Sequence, residues 1–377
     1  LPIACRYKTA HGPQSCAADC PAEARSGVFR YVRVESPGDV PPVDLRALDV
    51  AILDMNHGWP NLGHDSLVHA VVEAGCDLRE DLTRAGLYVR AISYDVRRFG
   101  MIPESPGGRF DLYLGTGGPA HIDPRRNDGV SEGSQGIRED SSWEPPFFRL
   151  LGEIVADENA ALLGVCHTFG VMCRWSGAAR PVLRGPEKGG KSSGLLENLL
   201  TPEALSHPWF RHFAKELPER RRLRIVDNRL FDLIPDAEPR PFTPIGHEAA
   251  ADGQRGEALT MMEFARDKAG RMPRVFGVNH HPEIVDRTRQ MLILNQKRER
   301  GEVSEAWYNE RAEALTRTYP DENSDRRLHV TSDFTLLGPL RFHLYRQARQ
   351  RAAAHGIQLD VHEDDVLREA ERAAAAV

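Results

Sequence analysis

Leu162-Leu163-Gly164-Val165-Cys166-His167-Thr168-Phe169-Gly170 is an apolar run that passes directly into a segment of helical character, with a cysteine at the corner. A strand-to-helix turn of this kind predicts an α/β sheet and holds its corner residue in a strained, exposed position, where a nucleophile is useful. Gly164 lets the backbone turn tightly. The positive end of the following helix favours thiolate over thiol, and thiolate is the form that attacks. A free cysteine at a strand end is also a common packing residue, so the elbow alone does not decide its use.

Two further segments point the same way. Val275-Phe276-Gly277-Val278-Asn279-His280-His281-Pro282-Glu283 is a second buried run, and it ends in histidine. A thiolate needs a general base, and that base needs an orienting acceptor. A histidine followed two residues later by a carboxylate, around a turn set by proline, supplies both: His281 is the base and Glu283 its orienter. His280 is read as a loop histidine without a catalytic role. Tyr113-Leu114-Gly115-Thr116-Gly117-Gly118-Pro119 is a third run, ending in a Gly-Gly turn whose N–H groups can donate to an oxyanion. Gly118 and the N–H of His167 are the two expected donors, with Gly117 beside the substrate.

Together and in this order, these segments resemble the class I glutamine amidotransferases, with their Gly-Gly-Pro oxyanion loop, G-x-C elbow and G-V-x-x-H-P-E segment. The resemblance implies a flavodoxin-like doubly wound sheet, mostly parallel, with helices on both faces. It also implies a catalytic triad of Cys166, His281 and Glu283, a γ-glutamyl thioester on the cysteine, release of ammonia, and hydrolysis of the thioester by water. No cofactor and no metal are implied. Departures from the pattern fall in the glutamine pocket. The family elbow reads C-L-G-H-Q, and its Gln contacts the bound glutamine; here that position is Gly170, and the second elbow glycine is Thr168. The family also has an S-H or N-H pair before a short V-x-x-L-P segment. The corresponding stretch here is Val226 to Pro235, where only Asn228 stands as a substrate-binding candidate.

Gly185-Pro186-Glu187-Lys188-Gly189-Gly190-Lys191-Ser192 satisfies G-x-x-x-x-G-K-S, the pattern of a phosphate-binding loop. It follows the elbow helix closely and has no acidic strand partner for Mg²⁺. The amidotransferase component of anthranilate synthase has a similar H-G-K-T-S stretch at this place. Lys191 and Ser192 are therefore expected to be structural.

Outward from these segments, short apolar runs alternate with stretches of helical period, as in a parallel sheet covered by helices. Strands are expected at Leu48 to Met55, Leu87 to Tyr94, Phe110 to Gly115, Ala161 to Cys166, Arg224 to Val226, Leu259 to Phe264 and Val275 to Val278. Ser66 to Ala74 and Phe147 to Ala156 read as crossover helices. The polar insert Ile122 to Glu144 reads as a loop. Asp54 to Asn61, rich in polar and aromatic groups, reads as a βα loop that lines a cleft or meets a partner. The family-like domain is placed at 47–295, behind an N-terminal extension at 1–46 with a Pro-rich link (Pro37 to Pro42). A helical appendage at 296–377 packs on the core, pairs with a second copy or meets a partner.

Composition narrows the function classes. The 377 residues carry 41% apolar content and a formal charge of −6 with both signs interspersed, so no basic stripe offers itself to nucleic acid. No apolar run reaches a membrane span, and Leu1 to Cys20 lack the apolar core of a signal peptide. Six cysteines are too few for a disulfide scaffold, and a free catalytic thiol suits a reducing, cytoplasmic setting. Cys5, Cys16 and Cys20, with His11, lack the tight spacing of a zinc site. Cys173 is expected in the core, and His247 and Glu248 have no assigned role.

The expected activity is that of a cysteine-dependent amidohydrolase or amidotransferase acting on a small-molecule amide or acyl substrate. No ammonia-using synthetase motif is visible in the chain, so released ammonia goes to a separate synthase subunit or to water; a homo-oligomer stays open. Two rival readings remain: an acyltransferase similar to the homoserine acyltransferases, and a binding or regulatory homologue that has lost turnover.

Overall fold

The computed structural model describes residues 27–236, 241–319 and 326–375. Cys5, His11, Cys16 and Cys20 lie outside them. The chain begins with β1 (Phe29–Val34), β2 (Ala47–Asp54), α1 (Leu62–Asp77), α2 (Arg79–Ala85), β3 (Tyr88–Asp95), α3 (Val96–Phe99) and β4 (Phe110–Gly115). α4 (Glu144–Ala156), β5 (Ala161–Val165), α5 (His167–Ser176), β6 (Ala179–Leu183), β7 (Ser192–Leu200), α6 (Pro202–Ser206) and α7 (Phe210–Glu216) follow. Next come β8 (Arg222–Arg229), β9 (Phe231–Pro235), β10 (Thr243–Ala249), β11 (Arg255–Arg266) and β12 (Pro273–Val278). The last elements are α8 (Arg287–Glu299), α9 (Glu305–Thr318), α10 (Arg326–Ser332), α11 (Gly338–Ala354) and α12 (Glu363–Ala375).

Among the described residues, the main sheet has ten strands in the order β1-β3-β2-β4-β5-β12-β11-β10-β7-β8. β1 through β12 in that order pair in parallel, and β11, β10, β7 and β8 continue the sheet antiparallel. The fold is α/β and doubly wound, and the run β3-β2-β4-β5-β12 is the flavodoxin-like order. Period-two alternation divides each central strand between two cores. In β2, Leu48, Val50 and Ile52 pack with α1 and α11, while Ala51 and Leu53 pack on the other face with α4 and α5.

Two expected boundaries move. Residues 1–46 are not wholly an extension, because β1 forms the parallel edge of the sheet against β3. Its sequence, Phe-Arg-Tyr-Val-Arg-Val, is half polar because an edge strand is half solvated. The tail is likewise part of the core. α11 lies on the sheet with Leu340, Phe342, Leu344 and Ala348 buried in the same cluster as the central strands. It is tied there by Gln347 donating to the Asp49 carbonyl at 3.2 Å and by His343 Nε2 at 2.8 Å from the Pro273 carbonyl. The antiparallel strands β7 and β10 and the separate β6–β9 pair have no counterpart in the expected strand set, since Pro, Gly and half-exposed polar residues break their pattern. Ile122 to Glu144 is a loop with three short 3₁₀ turns.

Candidate active site

Three glycines make the elbow possible. Gly115, Gly164 and Gly277 lie side by side at one register across β4, β5 and β12. A methyl group on Gly115 would come within 2.3 Å of Thr168 Cγ2, one on Gly164 within 2.6 Å of Met172 Sδ, and one on Gly277 within 2.2 Å of Phe169 Cδ2. The strand ends are thus a bare floor on which α5 sits. Thr168 also donates its hydroxyl to the Thr116 carbonyl at 2.8 Å, locking the elbow to the Thr116–Gly118 turn. This bond accounts for a threonine at this position.

Cys166 caps α5 with φ 46° and ψ −99°, a left-handed backbone rare for a residue with a side chain. Its N–H donates to the Val278 carbonyl at 2.7 Å, so β12 holds the strained residue in place. Past β12, the His281 N–H donates to the Val226 carbonyl of β8 at 2.9 Å, and Nδ1 lies 2.8 Å from Glu283 Oε1. A carboxylate only accepts, so Nδ1 carries a proton. Nε2 is buried and has no oxygen or nitrogen partner; the Cys166 sulfur is the group besides Glu283 that interacts with the ring. Burial pulls the His281 pKa down, but the Glu283 carboxylate and the Cys166 sulfur more than offset it and hold it well above its ordinary value. Gly117 packs against both groups: a methyl group there would lie 3.0 Å from His281 Cε1 and 3.5 Å from Cys166 Cβ.

The Gly117-Gly118 turn is braced from behind. Gly118 lies so close to the Met55 carbonyl that a methyl group would come within 2.2 Å of it. Arg97 donates at 2.8 Å to the carbonyls of both Met55 and Pro119, and its other nitrogens pair with Glu139 at 2.7 and 2.6 Å. Neither side chain of that ion pair is exposed. Glu139 also accepts from Asn127 and Trp143, which gathers the insert around the turn. The His167 ring is buried, with its pKa driven well below the ordinary value by burial and by Arg97, and it bonds the Gly118 backbone. As the first residue of α5, His167 has no intrahelical acceptor for its N–H.

The His281–Glu283 turn is braced by the tail. Ser332 donates to the Pro282 carbonyl at 2.6 Å, and Tyr319 donates to that of Ile284. A π-helical turn, Asp333–Leu337, lies between α10 and α11, and its Thr335 is 3.4 Å from His280 Nε2. His280 is neutral, its pKa lowered to about 3 by burial and by His281.

The remaining candidates sort clearly. Asn228 is exposed on β8 and faces Ser193 across the ladder, two residues from the carbonyl that holds His281. Gly170 offers no pocket, because Ile122 Cδ1 would lie 2.5 Å from a methyl group there. Cys173 is buried in the core, and burial pushes its thiol well up. Ser192 is structural, donating to Asp227 at 2.6 Å. Lys191 is exposed immediately before β7. Asp54, Asn56 and Gly58 to Asn61 line a cavity of about 400 Å³ beside β1, together with Tyr31, His64 and Lys297. Arg97, Glu139, Ser332 and Tyr319 were not legible as site residues, because an isolated arginine or serine has no pattern that announces a bond to a distant turn.

No protein-family model and no curated protein matches this chain. Among solved structures, the crystal structure of SMU.1228c is similar at TM-score 0.39 and 13% identity, covering 81% of this chain and 99% of that one. PurLQS from Thermotoga maritima aligns at TM-score 0.37 and 13% identity, covering 63% and 89%. A GMP synthase component from Thermoplasma acidophilum aligns at TM-score 0.35 and 16% identity, covering 67% and 98%. No helix among the described residues is long and apolar enough to cross a membrane.

Proposed function

We propose that the protein is a cysteine-dependent amidohydrolase of the glutamine amidotransferase type that works through a thioester on Cys166. One observation carries the reading: a strained cysteine at a helix N-terminus shares the wall of Gly117 with a buried histidine whose Nδ1 is held by Glu283. His281 Nε2 holds the proton given up by the Cys166 thiol, Sγ attacks the amide carbonyl as the thiolate, and the N–H groups of Gly118 and His167 receive the oxyanion. Collapse breaks the C–N bond, and the leaving nitrogen takes the proton from His281, departing as ammonia. Water, deprotonated by the same nitrogen of His281, then attacks the thioester and frees the acid and the thiol. Glu283 keeps the imidazole in one tautomer and stabilises the imidazolium. Released ammonia is passed to a separate synthase partner or to water. The test is incubation with L-glutamine, following ammonia and glutamate, beside a Cys166→Ala control. Release that depends on Cys166 is the expected result, and labelling of Cys166 by a glutamine-derived chloroketone without turnover would transfer the mechanism to another acyl donor.

A second reading, acyl transfer to an added amine or alcohol, is favoured by Ile122. That side chain fills the space beside Gly170 in which the family's glutamine-contacting Gln would stand. Thioester capture by an amine in preference to water would establish it.

A further inference from the structure

We propose that the cavity beside β1 is a binding site for a small carboxylic acid with an apolar body, separate from the thiol site. Three stripes of side chains converge on it. Phe29, Tyr31 and Arg33 alternate along β1, so all three face the same side of the sheet. Asp65, Val68, His69 and Val72 fall on one face of α1 at helical spacing. Lys297 and Arg300, three residues apart at the end of α8, close the third side. The volume of about 400 Å³ lies within the roughly 300–1,000 Å³ of small-molecule sites, and Trp59, 48% exposed, stands in the wall. None of Cys166, His281 and Gly117 lines it. β1, Lys297 and Arg300 also fall outside residues 47–295, the part of the chain that carries the family resemblance.

The hydrogen bonds already made in the wall decide the class of ligand. Asp54 accepts from Arg33 at 2.8 Å and from the N–H and side chain of Asn56 at 2.9 and 2.7 Å. Asp65 is engaged at both oxygens, by His64 Nδ1 at 2.9 Å and by Lys297 Nζ at 2.7 Å. Arg33 uses its three nitrogens on Glu35, Asp54 and Asp95. Lys297, only 9% exposed, is held between two cavity-lining carboxylates, Asp65 at 2.7 Å and Glu302 at 3.2 Å; an ammonium has three protons, so one remains for a ligand. Arg300 meets Glu302 at 3.6 Å through one nitrogen of a guanidinium that carries five N–H groups. The surplus is therefore of donors, gathered at the end of one helix, and a carboxylate, which only accepts, matches it. Phe29, Val68 and Val72, all buried, supply the apolar floor for the rest of the molecule. An amine would find the carboxylates of the wall already engaged.

The experiment is isothermal titration calorimetry on the full-length protein with three probes of similar shape and different charge: phenylacetate, 2-phenylethanol and phenethylamine. Wild type is compared with Arg300→Gln, Arg300→Glu and Trp59→Ala, substitutions at partly exposed positions that leave the fold intact. Phenylacetate is expected to bind wild type more tightly than either of the other probes, and Arg300→Gln to weaken it roughly tenfold while leaving 2-phenylethanol unchanged, the size expected for a lost hydrogen bond to a charged group. Arg300→Glu should reverse the order of phenylacetate and phenethylamine, and Trp59→Ala should weaken all three. Equal affinity for the three probes, or no saturable binding of phenylacetate to wild type, would overturn the proposal. So would phenylacetate affinity that neither Arg300→Gln nor Trp59→Ala changes, because the acid would then be bound elsewhere.

Discussion

At the scale of single residues, the site is a set of atoms whose freedom has been removed. Cys166 has a backbone angle that costs on the order of 1–3 kcal/mol and survives only because β12 accepts its N–H. His281 is held at its N–H, by Val226, and at its Nδ1, by Glu283. Glu283→Gln keeps the shape but removes the charge that raises the His281 pKa, and its amide can present the wrong partner to Nδ1. Turnover should drop by on the order of 10³- to 10⁴-fold, the size seen when an orienting carboxylate is replaced in a comparable triad. The same variant should alkylate Cys166 more slowly at neutral pH, because the imidazolium that accompanies the thiolate is less stable. Unchanged alkylation in a variant that has lost turnover would remove Glu283 from the role of orienter.

At the scale of elements, the design is a helix on a glycine floor and two turns braced from outside. Gly277→Ala places a methyl group 2.2 Å from Phe169 Cδ2, so either α5 lifts or β12 shifts. A loss of about 1–3 kcal/mol is expected in a urea titration, together with slower Cys166 alkylation. Stability at the wild-type level would show that the floor is not needed. Glu139→Ala acts on the Gly117-Gly118 turn. It leaves Arg97 buried and unpaired, which costs about 3–5 kcal/mol, and it unties the guanidinium that grips Met55 and Pro119. Glu139→Gln, with its shape kept, should fold better and still lose turnover. A Glu139→Gln enzyme of normal rate would show that the brace does not govern the oxyanion donors.

At the scale of the whole molecule, the sheet and the tail form one buried body, and several histidines are sealed inside it uncharged. Burial lowers the pKa of His280 and His343 to about 3 and of His121 and His247 to about 4, all from an ordinary 6.5. The unfolded chain therefore binds more protons than the folded one below 6.5. The stability these residues confer is complete above about pH 6.5 and is lost as pH falls toward 4, by up to about 1.4 kcal/mol per unit for each. His281, raised instead, works in the opposite direction but is outnumbered. The urea midpoint should fall steeply between pH 7 and pH 5, and a flat profile there would contradict the buried, neutral state of these rings. How much of this was legible in the sequence depends on distance along the chain. The central parallel strands, the elbow at Cys166, the Gly117-Gly118 turn and the His281–Glu283 turn announce themselves, because each is a local run of apolar or turn-forming residues whose meaning depends only on its neighbours. Edge strand β1, the antiparallel strands, the docking of α11 and the Arg97–Glu139 brace do not. Those depend on which surfaces meet after the chain has folded, and a half-polar strand or a lone arginine reads alike whether it faces water or a packed interior.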